Sequence, residues 1–148
     1  MDFFSALMKN KIITASVTAW FVAQLLKVFL VLISQKKIDF SRFVGSGGMP
    51  SSHSAFVVAL MTSVGKHVGV DSAEFAISFV LALVVMYDAA GIRRAAGQQA
   101  RILNKLVDHW GEHDPQFVGD RLKELLGHTK FEVLVGALLG AVIALMES

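Results

Sequence analysis

Three short stretches combine residue types that can handle a phosphate ester. The first, GSGGMPSSHSA at residues 45–55, runs from a glycine-rich loop into an apolar segment. Small residues such as Gly48 let backbone N–H groups approach an anion, and a helix amino terminus adds unpaired N–H groups and a favourable dipole. Ser51 and Ser52 fit such a cradle, but they fit an ordinary helix cap as well. His53, in the first turn, favours the cradle, because an imidazole beside a bound phosphate can protonate a leaving alkoxide near neutral pH.

The second stretch, YDAAGIRR at residues 87–94, places Arg93 and Arg94 at the end of another apolar segment. Guanidinium groups bind phosphoryl oxygens in pairs and keep their charge at any relevant pH. A basic anchor at a membrane interface would use the same residues. Asp88 is costly so close to an apolar span unless it is paired, and it is expected to hold an arginine or lysine of the site.

The third, GHTKFEVLVGALLG at residues 127–140, opens the last apolar segment. His128 and Glu132 are four apart, so on a helix they share a face, and the carboxylate can orient the imidazole and stabilise its positive charge. A neutral imidazole nitrogen could attack phosphorus and form a phosphohistidine that water then hydrolyses. A single His–Glu pair at this spacing is more often a surface contact. Three such groups at the ends of apolar segments, all on one side, argue for a site.

The elements that position these groups follow from composition. Of 148 residues, 54% are hydrophobic, and the mean hydropathy is +0.58. That is too apolar for a soluble domain of this size. Four apolar segments stand out, at residues 12–33, 54–70, 75–90 and 131–146. Four spans of about 20 residues each use nearly the whole chain, so a single membrane-embedded domain over residues 1–148 is expected. Apolar residues run on without period-2 alternation, which excludes a β-barrel pattern. The fold class is therefore all-α, a polytopic membrane helical bundle with about four transmembrane helices plus short interfacial helices. The first segment exceeds the roughly 7–15 apolar residues of a signal peptide, and no small-residue cleavage site follows, so it reads as a retained span.

The connections differ in character. Residues 34–52 are basic and then glycine-rich, residues 65–72 form a tight turn, and residues 91–127 are long and polar. Within the last, residues 93–108 have an amphipathic helical pattern that fits either the membrane interface or open solvent. Residues 110–115 read as a loop and residues 117–126 as a further short helix. His109 and His113 are four apart, but the sequence between them is not that of a zinc-binding helix. His67 falls by the turn opposite the site and reads as interfacial.

Alternating spans put Lys36, Lys37, Arg42, Arg93, Arg94, Arg101, Lys105, Arg121, Lys123 and Lys130 on one side, against Lys9, Lys11 and Lys66 on the other. The positive-inside rule makes the first side, which carries the site, cytoplasmic. Lys36, Lys37 and Arg42 are candidate phosphate ligands there. Lys27 is a rival, because a charge within an apolar span demands a reason; snorkelling to the interface is the alternative. Cysteine is absent, which excludes disulfides, thiolate nucleophiles and cysteine metal sites. The net charge of +2 fits membrane orientation and phosphate binding, and no nucleic-acid partner is expected.

The chain resembles the type-2 phosphatidic acid phosphatase and vanadium haloperoxidase superfamily, and within it a short, divergent bacterial and plant branch. Pro50-Ser51-Ser52-His53 looks like the superfamily's Pro-Ser-Gly-His motif. His128-Thr129-Lys130-Phe131-Glu132 looks like the His-x-x-x-Asp end of its last motif. Ser52 stands where that pattern has glycine, Glu132 where it has aspartate, and a much longer stretch separates the arginine pair from His128. The resemblance implies His128 as nucleophile, His53 as general acid, Glu132 as partner of His128, and Arg93 or Arg94 on the phosphate. It also implies metal-independent chemistry with no cofactor. The expected substrate is a lipid phosphate monoester or diphosphate: phosphatidate, phosphatidylglycerophosphate or an isoprenyl diphosphate. A non-catalytic lipid-phosphate binding or scaffold protein is the alternative. Further expectations are a bacterial plasma-membrane location and a homo-oligomer, since so small a bundle needs a second copy to cover polar surface near the site.

Overall fold

A computed structural model describes residues 2–35, 48–113, 122 and 127–147. Among the described residues there are six α-helices and no strand: α1 Phe3–Lys9, α2 Lys11–Gln35, α3 Ser52–His67, α4 Ala73–Ala90, α5 Ile92–His113 and α6 Lys130–Met146. The all-α expectation holds. Lys36, Lys37 and Arg42 lie outside the described residues. Of the helix expected over residues 117–126, only Leu122 is described, and it is not helical.

Local chemistry sets the boundaries. Asn10 separates α1 from α2, and its Oδ1 accepts the N–H groups of Ile12 and Ile13 at 3.0 and 3.2 Å. The turn expected at 65–72 starts later, because α3 continues to His67. Gly69 makes that turn at φ +112°, where a β-carbon would meet the Asp71 carboxylate. Ser72 then caps α4, accepting the Phe75 N–H at 3.1 Å. Helix α5 runs through residues 110–113, part of the expected loop. Gly111 costs a helix only about 1 kcal/mol relative to alanine, too little to end it.

Helix α3 is the centre of the bundle, packing against α2, α4 and α6. The seams are lined with small residues. Ala15, Ala19 and Ala23 of α2 meet Ala55 and Ala59 of α3 and Ala144 of α6. Gly136 and Gly140 of α6 lie against the backbone of Ser51, the cap of α3, and of Ala55 within it; a β-carbon at Gly140 would stand 2.9 Å from the Ala55 carbonyl carbon. Small residues four apart on both helices let the backbones meet, as in membrane helix pairs.

Two stretches, Lys11–Ile33 and Ala73–His109, are long and apolar enough to cross a membrane, and only 28% and 17% of their apolar windows are buried in the protein. A core helix of a water-soluble protein would be mostly buried. Here Phe21, Leu25 and Phe29 of α2 and Ile77, Val80, Leu83 and Val84 of α4 face outward, as a lipid solvent requires. Helices α3 and α6 have 16 and 17 residues, roughly 24–26 Å of rise, a little short of the ~30 Å hydrocarbon core.

Candidate active site

The end of the bundle where α2 and α4 finish and α3 and α6 begin brings together Lys27, His53, Asp88, Arg93, His128 and Glu132. Its organiser is the start of α6. Thr129 caps that helix, its Oγ1 accepting the Glu132 N–H at 3.2 Å, and Glu132 returns a carboxylate oxygen to the Thr129 N–H at 3.1 Å. This is a capping box. The same oxygen, Oε2, lies 3.0 Å from Nδ1 of His128. An ionised carboxylate oxygen can only accept, so the Nδ1 facing it is the protonated nitrogen of the ring. In the neutral ring Nε2 then holds a lone pair. His128 is 2% exposed, and Nε2 is buried without a hydrogen-bond partner among the described residues.

Two backbone bonds fix this ring in the bundle. The His128 N–H donates to the Ala89 carbonyl at 3.0 Å, satisfying one of the last carbonyls of α4, and the Ser51 N–H donates to the Glu132 carbonyl at 3.1 Å. His53, in the first turn of α3, comes within 6.3 Å of His128 between ring centroids, the rings inclined at 63°. His53 is the exposed member of the pair and His128 the buried one.

The cations come from α2 and α5. Lys27 is 1% exposed and its stem lies against Gly48, where a β-carbon would be 3.6 Å from Lys27 Cγ. Gly48 has φ +86°, a conformation that favours glycine. Arg93 donates from Nε to Asp88 Oδ2 at 2.7 Å, which leaves its outer nitrogens for another ligand. The charges of Lys27 and Arg93 reach both imidazoles. Arg94 is exposed, and its backbone is where Gly127 packs, with no room for a β-carbon. Ser51 is buried and occupied as the cap of α3: its Oγ accepts from the Ser54 hydroxyl at 3.0 Å and from the Ser54 N–H at 3.4 Å. Ser52 is buried beside it.

Burial holds His128 below the ordinary imidazole range, and the positive charges of Lys27 and Arg93 add to this. The Glu132 hydrogen bond and carboxylate charge pull the other way. The balance favours the neutral ring, the form with a lone pair on Nε2.

Beside His53 an apolar groove of about 340 Å³ is lined by Trp20, Phe56, Val57 and Val85. Sequence reasoning missed the groove, the Ala89 and Ser51 backbone bonds and Thr129. The Thr-x-x-Glu signature was a legible sign of the last; the others depend on how helices meet.

The architecture and the site together define a helical membrane protein with a histidine–carboxylate pair set among fixed cations. The chain belongs to the Divergent PAP2 family, whose model matches residues 8–143. It is 40% identical over 154 aligned residues, 95% of each chain, to the protein of Bacillus subtilis (strain 168) named "Uncharacterized membrane protein YuiD". No solved structure matches the chain.

Proposed function

We propose that this protein is a lipid-phosphate phosphatase that works through a phosphohistidine. The observation that carries the reading is His128, buried, with Nδ1 tied to Glu132 and Nε2 unpartnered among the described residues. The Nε2 lone pair attacks phosphorus in line as the bond to the leaving oxygen breaks, and His53 gives that oxygen a proton. Glu132 stabilises the positive charge on the phosphorylated ring. Water then attacks phosphorus, its proton passes to His53, and the P–N bond returns its pair to Nε2. Lys27 and Arg93 neutralise the phosphoryl oxygens as charge redistributes. Lys36, Lys37, Arg42 and Arg94 remain candidates for the same task, with Gly48 and Ser52 shaping the approach to the start of α3.

The substrate's hydrocarbon tail fits the groove beside His53, which opens among helices that carry outward-facing apolar side chains. In this reading α2, α3, α4 and α6 all cross the bilayer, the shorter pair by local thinning or by using flanking residues. The basic end lies on the cytoplasmic side.

The test is release of inorganic phosphate by the purified protein from phosphatidate, phosphatidylglycerophosphate and an isoprenyl diphosphate. Turnover should vanish in His128→Ala and fall by about 10²–10⁴-fold in His53→Ala, the range for a positioned proton donor. Turnover that survives His128→Ala sinks the mechanism. Tight binding of these lipids without turnover in the unaltered protein would instead mark a lipid-phosphate binding protein.

A further inference from the structure

We infer that α5 lies along the membrane surface, with one face in the boundary between headgroups and acyl chains of an anionic bilayer and another among the lipid phosphates. This does not depend on catalysis. Among the described helices α5 packs only against α4. One side of α5, carrying Gly97, Ala100 and Asn104, is buried. Asn104 is held there by the Leu122 backbone, donating to its carbonyl at 2.9 Å and accepting its N–H at 2.8 Å. The adjoining apolar side is open: Ile92, Ile102, Leu103 and Leu106 are 60%, 62%, 46% and 47% exposed.

At about 100° per residue these four side chains share one face of α5, while Arg94, Arg101 and Lys105 cluster roughly 130° round the helix. An exposed apolar stripe with a separate basic stripe is the pattern of an interfacial helix. Connectivity points to the same occupant. A single residue, Gly91, separates α5 from α4. The apolar residues of the candidate span that begins at Ala73 give way to Arg93 and Arg94 directly after Gly91 and Ile92, which puts the start of α5 where the chain leaves the hydrocarbon. A second copy of the chain fits less well. A two-fold pairing through the apolar stripe would bring two sets of Arg94, Arg101 and Lys105 toward one another, whereas anionic headgroups complement them. Seated this way, α5 carries Arg93 in its first turn at headgroup depth, beside His128 and His53.

Because the chain has no cysteine, single spin labels can be placed on α5 of the full-length protein. The variants are Ile102→Cys, Leu106→Cys, Gln98→Cys and Lys105→Cys, reconstituted in phosphatidylcholine vesicles with a minor fraction of phosphatidylglycerol. Labels at 102 and 106 should collide with oxygen and be protected from a water-soluble nickel chelate, and labels at 98 and 105 should show the reverse. Equal exposure of all four to nickel would overturn the proposal in favour of a helix standing in water. Protection of 102 and 106 from both agents, with spin–spin broadening, would overturn it in favour of a second copy. Adding Arg101→Glu and Lys105→Glu to the 102 label should reduce its protection in anionic vesicles. Unchanged protection there would overturn the part assigned to anionic lipid.

Discussion

Glu132 holds His128 through the same carboxylate oxygen that completes the cap of α6, at 3.0 Å from Nδ1 of the ring and 3.1 Å from the Thr129 N–H. The orientation of the imidazole is thereby coupled to the start of a helix. Glu132→Gln keeps an oxygen that can serve the capping box but removes the charge. It is expected to fold normally and to lower kcat by at least about 10²-fold, the lower end of what positioned groups contribute to proton handling and charge stabilisation. Phosphate-release kinetics beside a thermal melt will check this. A large drop in melting temperature together with unchanged kcat would assign Glu132 to stability alone.

His128 is expected to impose an acid limb on kcat/KM that lies below the ordinary imidazole value of about 6.5. Burial and the charges of Lys27 and Arg93 lower its affinity for a proton, and Glu132 raises it. Removing the carboxylate in Glu132→Gln should therefore move the limb to still lower pH. The neutral ring also favours the folded state. Unfolding takes up a proton once pH falls below about 6.5, so stability declines from there until the folded ring is itself protonated. A pH–rate profile of both proteins is the measurement, and a limb displaced upward in the variant would contradict the assignment.

Much of the site was legible because its parts are local. Pro50-Ser51-Ser52-His53 and His128-x-x-x-Glu132 each span the start of one helix, and Asp88 and Arg93 lie five apart across the α4–α5 junction. His128 nevertheless precedes the Thr129 cap of α6 and meets Glu132 through the capping box, not on a shared helix face as the spacing suggests. The choice among cations was not legible. Lys27 is distant in sequence from Gly48 and from both histidines, and only the packing of α2 on α3 brings it to the glycine. The 6.3 Å approach of His53 to His128 likewise depends on α3 and α6 starting together, with Gly136 and Gly140 against Ser51 and Ala55. Two glycines four apart in an apolar segment were the available sign of that contact. The number of spanning helices was less legible still, since α3 and α6 are short and their ends use polar residues that belong to the site.

Gly136→Leu should separate the two halves of the site. Even a β-carbon at Gly136 would stand 3.1 Å from Ser51 Cβ, and a full side chain must push α6 away from the cap of α3. Overpacking of this kind costs about 1–3 kcal/mol. Phosphatase activity should fall with stability, because the Ser51–Glu132 backbone bond crosses the same contact. Leu138→Ala, at an outward-facing position of α6, should leave activity nearly unchanged. Loss of activity equal to that of Gly136→Leu in this control would remove the packing explanation.

Asp88 and Arg93 supply a contrast between binding and stability. Their side chains are 34% and 45% exposed, and ion pairs this open contribute about 0–1 kcal/mol to folding. Asp88→Asn should therefore barely change the melting temperature. If Arg93 binds the substrate as proposed, the effect of Asp88→Asn belongs in KM, because the carboxylate fixes Arg93 Nε and leaves the remaining guanidinium nitrogens for that ligand. Arg93→Lys removes both the fork and its anchor and should raise KM further, with kcat falling as well if the arginine binds the transition state more tightly than the substrate. Kinetics on one lipid phosphate, with melting temperatures of both variants, decide the matter. A fall in melting temperature with KM unchanged would mean that the pair only closes the junction between α4 and α5.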